Sequence, residues 1–421
     1  MRHALRAVAV ALPLISLGML VWPRGGATVP LYAARTGLMC ANCHFDPNGG
    51  GPRNDFGFAF ARNRHSLEPE DSTSAWHDLS VVNRVGDNMP VYFGLNHRVL
   101  LLGNTTVKTD SLDRLAFFNM ENAIHIAFQP HPRLALVHTQ DGATPRESFG
   151  WIGGFPWDGY IKIGAFRNPF GLRMDDHTVA TRQGFLDFFT VPSGLANLVQ
   201  RTFLPYDPRS TDEGIEVGAT RSGFYGRVAL TNGSSSLFAP PGFGNSFAEA
   251  KAVKLGYGNT FFHAAASFYD DYQKNPITFT LPPAFPIRRA SRWGFFALTH
   301  YRRLALLGEI AAGTDEFEFS EAKRNLLAGF AEADYAPMRS VNFRFRYDHV
   351  NLDNRRYILI SGPADGLNTH DRYSVEGEYV PVPFAELRWT LRFIQHKFGG
   401  NSLVGDVPDE RQGYLQFHFS Y

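Results

Sequence analysis

From about residue 91 the chain repeats one unit: a strand of alternating apolar and polar residues, a very short turn, a second such strand, and a longer polar loop. The last segment shows it best, because Leu415, Phe417, Phe419 and Tyr421 alternate with Tyr414, Gln416, His418 and Ser420. Leu387, Trp389, Leu391 and Phe393 alternate likewise with Glu386, Arg388, Thr390 and Arg392. Val341, Phe343, Phe345 and Tyr347 stand opposite Asn342, Arg344, Arg346 and Asp348. A period of two puts one set on each face of a sheet, so one face suits lipid and the other water. A soluble sandwich also alternates, but it buries aliphatics and does not keep short turns at one end and long loops at the other. The pattern predicts an all-β fold, a closed transmembrane antiparallel barrel.

Short turns are expected at 130–132, 222–223, 258–259, 302–303, 337–339 and 381–383, on the periplasmic side. Longer loops near 141–157, 233–246, 271–290, 351–369 and 398–410 would face outward. Fifteen strands follow from this assignment. A barrel with both termini in the periplasm needs an even number, so a sixteenth is expected between Pro169 and Arg209, where a lumen constriction is also open. With Phe at 37 residues, Tyr at 16 and a net charge of +1, composition agrees with interfacial aromatic girdles in contact with outer-membrane lipid. It argues against a nucleic-acid partner.

The N-terminus carries Arg2 and Arg6, an apolar run from Ala7 to Trp22 broken by Pro13, and small residues to Ala27. This is the layout of a secretory signal peptide spanning residues 1–27, and the run is shorter than the roughly 20 apolar residues of a spanning helix. A separate N-terminal segment is expected over 28–90 and the barrel over 91–421, placing the protein in the bacterial outer membrane.

The only cysteines, Cys40 and Cys43, stand in the sequence Cys40-Ala41-Asn42-Cys43-His44. C-x-x-C-H is the attachment sequence of c-type haem: two thiols form thioethers to the vinyl groups and the histidine becomes the proximal iron ligand. The spacing closes too short a loop for a useful disulfide. Zinc would need two further ligands in a second pair, and a redox dithiol would need an α/β setting. One covalent haem c is therefore expected.

After the motif, Gly49, Gly50 and Gly51 between Pro47 and Pro52 predict a tight loop whose backbone can approach a flat cofactor. Asn54 or Asp55 would cap a short helix placing Phe56 and Phe60 on one face, either to cover the porphyrin or to pack in the barrel mouth. His65, at the end of that helix, is the leading candidate for a distal ligand, with His77, Met89 or a five-coordinate iron as alternatives. The lumen-facing Arg344, Arg346, Arg388 and Arg392 would either favour anions or pair with haem propionates.

The run YAARTGLMCANCHFDP, then RNDFGFAF and a phenylalanine-rich barrel, resembles the fused monohaem cytochrome-porins of the outer membrane, which include the iron oxidases of iron-oxidising bacteria. The motif match covers residues 32–60, and the PNGGGP insertion between His44 and Phe56 departs from it. IGAFRNPFGL is similar to strand segments of phosphate-selective porins. The resemblance implies electron transfer across the membrane, with Fe(II) or another extracellular donor and a periplasmic cytochrome as partners, and so an Fe(II)-oxidising oxidoreductase. Passive passage of anions or small solutes, with a structural or local-redox haem, is the alternative.

Overall fold

A computed structural model describes residues 30–68, 74–77, 79–106, 109–142, 144–173, 179, 181, 211–233, 247–272, 287–317, 323–353, 357–359, 362–364, 367–398 and 409–421. The expected signal peptide lies outside the described residues. Among the described residues three short helices come first: α1 (Pro30–Thr36), α2 (Cys40–Cys43) and α3 (Asp55–Arg62). The strands begin with β1 (Arg84–Val85), β2 (Val91–Thr106), β3 (Thr109–His131), β4 (Leu134–Asp141), β5 (Thr144–Phe155) and β6 (Gly159–Phe166). They continue with β7 (Asp212–Arg221), β8 (Phe224–Thr231), β9 (Ala250–Gly258), β10 (Phe262–Tyr272), β11 (Ile287–Tyr301) and β12 (Leu304–Phe317). The last are β13 (Lys323–Met338), β14 (Val341–Asp353), the small hairpin β15 (Tyr357–Leu359) and β16 (Gly362–Ala364), then β17 (Leu367–Val382), β18 (Ala385–Phe398) and β19 (Glu410–Ser420).

Sixteen strands, β2 to β14 and β17 to β19, pair antiparallel with their sequence neighbours, and β19 pairs back onto β2 to close the ring. Closure leaves no unpaired edge, which a sheet in hydrocarbon requires. Along β14 the expected alternation is realised: Asn342, Arg344, Arg346 and Asp348 are buried toward the lumen while Phe343 and Phe345 are exposed on the lipid face. In β19, Gln416, His418 and Ser420 face inward and Phe417 and Phe419 outward. The inward charges meet across strands, as in Arg372 with Asp348 at 2.9 Å. Such pairing is what makes a charged wall tolerable away from bulk water.

The strand count agrees with the sequence, but one strand lies elsewhere than expected. The sixteenth is β5, within the stretch read as a long loop over 141–157, and the chain between β6 and β7 contains no strand among the described residues. The misreading has a simple cause: Gly150, Gly153 and Gly154 dilute the β5 pattern, so the strand merges with the turn residues Pro156 to Gly159 into one apparent loop. The described part of the 169–209 stretch folds into the lumen, as allowed above. The Gly171 amide donates to Ser267 Oγ at 3.1 Å and the Leu172 amide to Glu309 Oε1 at 3.1 Å.

Candidate haem-binding site

The described part of the segment before β2, residues 30–65 above all, packs inside the barrel at its short-turn end. Its contacts run around the wall: Tyr32 OH reaches Glu378 of β17 at 3.4 Å, Arg53 donates to the Ser420 carbonyl of β19 at 2.7 Å, and Phe58 stacks on Phe384 at 5.1 Å. The Tyr421 hydroxyl donates to the Val82 carbonyl at 2.6 Å.

Within this plug, α2 holds the two cysteines on one turn. The Asn42 side chain accepts from the Met39 amide at 2.6 Å and so fixes the start of the turn. His44 follows in extended backbone and pairs with Arg53, which closes residues 46–51 into a loop. Asn54 caps α3 as expected, accepting from the Gly57 amide at 2.9 Å. Gly57 itself touches α2: a Cβ there would lie 2.1 Å from the Cys43 carbonyl oxygen, so only glycine lets the two helices meet.

At its far end α3 reverses through Arg64 and His65, both at positive φ, and the His65 amide donates to the Phe60 carbonyl at 3.0 Å. This reversal folds His65 back over its own helix, with its ring 4.2 Å from Tyr32 and 5.7 Å from Phe60. Cys40, Cys43, His44, Phe60 and His65 consequently line one cavity of about 270 Å³. That is close to the lower end of small-molecule sites, about 300–1,000 Å³.

Not every expected residue is there. Phe56 is exposed rather than on the cavity, because it sits in the first turn of α3 and its side chain leans out past the helix end. Phe58, which the spacing did not single out, is buried in its place against Phe384 and Tyr421. His77 and Met89 are both exposed and outside the cavity. Two further histidines do line it, His125 of β3 and His418 of β19. Their inward place in the strand alternation is the signal that would have found them.

Gly50, Gly51 and Pro52 of the Gly-rich loop line the cavity, and the loop also packs on the barrel wall. A Cβ on Gly50 would meet the Arg173 guanidinium at 2.7 Å, and one on Gly51 would meet Thr139 Oγ1 at 3.4 Å. Asp46 anchors it, lying 3.3 Å from Lys162 Nζ and 2.9 Å from Arg173 Nη1, while Asn48 donates to Glu216 at 2.8 Å. Burial raises the Asp46 carboxyl, and the two cations outweigh it, so it titrates below the usual range. Burial also pushes the Cys43 thiol up to about 11 and the Cys40 thiol upward, and lowers His65 to about 3.

The four arginines face the lumen as expected, but carboxylates already meet them. Arg344 lies 3.1 Å from Asp334 and 2.9 Å from Glu376, Arg346 bonds Glu332, Arg388 lies 2.7 Å from Glu386, and Arg392 donates to Tyr414 at 2.8 Å with Glu376 at 3.9 Å. Neither anion preference nor propionate pairing follows from charges so compensated. Arg392 also lies off the cavity, which the other three line.

The donor set suits haem c. Two thiols and a following histidine open on one cavity, and the His65 Nδ1 atom across it is enclosed without a hydrogen-bond partner. A buried unsatisfied nitrogen needs an explanation, and a nearby ligand is one. Among the described residues no three His, Cys, Asp or Glu side chains gather to hold a metal ion directly.

No known family description matches the chain, and no curated protein resembles it in sequence. Solved structures share its fold. OmpT of Vibrio cholerae matches with a TM-score of 0.55 at 10% identity, over 80% of this chain and 99% of that one. The DcaP channel of Acinetobacter baumannii gives 0.53 at 12% identity, over 79% and 98%. OprB of Pseudomonas putida gives 0.52 at 11%, over 79% and 94%. The chain has the fold of an outer-membrane porin. With the closed barrel, this places the porin-fold chain in the bacterial outer membrane, in contact with its lipid.

Proposed function

We propose that this barrel carries its N-terminal segment, residues 28–90, as a plug bearing one covalent haem, and that it passes electrons between an extracellular donor such as Fe(II) and a periplasmic cytochrome. The observation that carries this reading is the meeting of the C-x-x-C-H turn and the folded-back His65 on one cavity inside the lumen. Haem c supplies a one-electron couple at its iron when bound. Cys40 and Cys43 would anchor it by thioethers, His44 would ligate the iron, and His65 would supply a second imidazole ligand. Phe60 and Tyr32 exclude water from the His65 ring, which favours its neutral, ligating form. The plug and the paired lumen charges narrow the aqueous path, so the barrel serves as housing.

The fold neighbours favour a second reading, since DcaP among those compared above is an outer-membrane channel: passage of small solutes, with the haem in a structural or local-redox task. Proteoliposomes separate the two. With ferrous iron added only outside and an electron acceptor enclosed, the wild type reduces the acceptor through its haem, and His44→Ala, checked as a folded barrel by heat-modifiable mobility, does not. Equal reduction by both proteins, or a haem unresponsive to every outside donor, would leave the channel reading.

A further inference from the structure

The four lumen arginines Arg344, Arg346, Arg388 and Arg392 meet carboxylates, but two arginines at the short-turn rim do not. Arg302 and Arg303 form the whole turn between β11 and β12, both are exposed, and among the described residues neither meets an acidic side chain. Arg339 stands in the neighbouring turn between β13 and β14, where one of its guanidinium nitrogens donates to the Glu68 carbonyl at 2.9 Å, and the two turns are joined: the Ala336 amide donates to the Arg303 carbonyl at 2.9 Å, and Arg303 donates to the Pro337 carbonyl. Neither turn contains an acid; Glu332 and Asp334 on β13 face the lumen and are held by Arg344.

Directly beside these guanidinium groups lies an outward apolar platform. Tyr301 is 71% exposed and Met338 64%, with Leu304 and Tyr335 register partners across β12 and β13 and also exposed. The Arg302 guanidinium sits over the Tyr301 ring at 5.3 Å. In a membrane barrel such a level is the interface, where aromatic rings mark the headgroup zone and basic side chains extend toward water.

We propose that the paired turns form a binding site for an anionic phospholipid of the periplasmic leaflet, with Arg302, Arg303 and Arg339 on the headgroup phosphate and the Tyr301, Leu304, Tyr335 and Met338 surface under the acyl chains. Charge complementarity selects this occupant: two exposed guanidinium groups with no carboxylate partner among the described residues, at headgroup depth and continuous with an apolar face that already lies in lipid. The inference is independent of the haem. Its fit to a lipid, rather than to an acidic protein, rests on that continuity, because a protein docking from the periplasm would reach the turns but not the face beside them.

Native mass spectrometry of the delipidated barrel, titrated with phosphatidylglycerol or phosphatidylcholine, tests it. The wild type should retain phosphatidylglycerol at least tenfold better, and glycerol phosphate without chains should not compete. Each arginine replaced in R302Q, R303Q and R339Q should weaken retention by about fivefold at low salt, and the triple lysine variant should keep most of it. Heat-modifiable gel mobility checks that each variant is a folded barrel, and the wild-type comparison needs no variant. Equal retention of both lipids by the wild type overturns the proposal, as does competition by glycerol phosphate or an unchanged preference in the folded triple glutamine variant. Displacement of the bound lipid by poly-glutamate at equimolar concentration would assign the turns to an acidic protein instead.

Discussion

Gly57→Ala sets two physical effects against each other. Alanine is the better helix former by about 1 kcal/mol, so local propensity alone predicts a more stable α3. The contact with α2 predicts the reverse. The added Cβ would lie 2.1 Å from the Cys43 carbonyl oxygen, 2.8 Å from its carbon and 2.9 Å from its Cα, all backbone atoms with no rotamer to yield. Ordinary contact begins at 3.4 Å, so α2 must retreat by more than an ångström. That retreat breaks the bond from the Asn54 amide to the Cys43 carbonyl, now 3.0 Å. Overpacking costs about 1–3 kcal/mol, and the lost hydrogen bond about 1 kcal/mol more. After the propensity gain is offset, docking of the motif turn is destabilised by about 1–3 kcal/mol, roughly a fivefold to hundredfold rise in its open population. In protein refolded without haem, Cys40, only 8% exposed, reports this directly: maleimide should label it at least fivefold faster in the variant. Unchanged or slower labelling, with a higher urea midpoint, would refute the packing argument.

Asp46→Asn should weaken plug docking by about 3 kcal/mol, the low end for breaking a buried pair, because Lys162 keeps Glu216 at 3.1 Å and Arg173 keeps Glu147. Asp55→Asn, at an exposed pair with Arg84, should leave the urea midpoint of plug release unchanged. Burial lowers His65 to about 3 against an unfolded value near 6.5, so in haem-free protein its contribution is complete above about pH 6.5 and is lost as pH falls toward 3. Plug release followed through Trp76 emission should show that dependence, and His65→Leu should flatten it.

The barrel was legible because alternation is a local property: every inward residue of β14 and β19 can be assigned from its neighbours two positions away. The short turns at 222–223 and 302–303 were equally clear. β5 was not, since its glycines weaken the alternation and its pairing with β4 and β6 is a long-range fact. The motif at Cys40 to His44 was legible as chemistry, whereas its surroundings were not. That His65 turns back depends on two residues at positive φ with non-glycine side chains, a conformation that sequence disfavours and the plug's packing imposes. The compensation of Arg344 by Glu332, Asp334 and Glu376 likewise needs β13, β14 and β17 side by side, and only the closed register supplies it.

The central claim, that the lumen plug carries haem through Cys40 and Cys43, is tested most directly by staining a denaturing gel for haem peroxidase. The samples are outer membranes from cells with a working cytochrome c assembly system, run with and without heating. The wild type should give a stained band that survives denaturation and shifts with the heat-modifiable barrel, and the Cys40→Ser, Cys43→Ser variant should give the same barrel unstained. A folded wild-type barrel without stain, or equal stain in the double variant, would contradict the account.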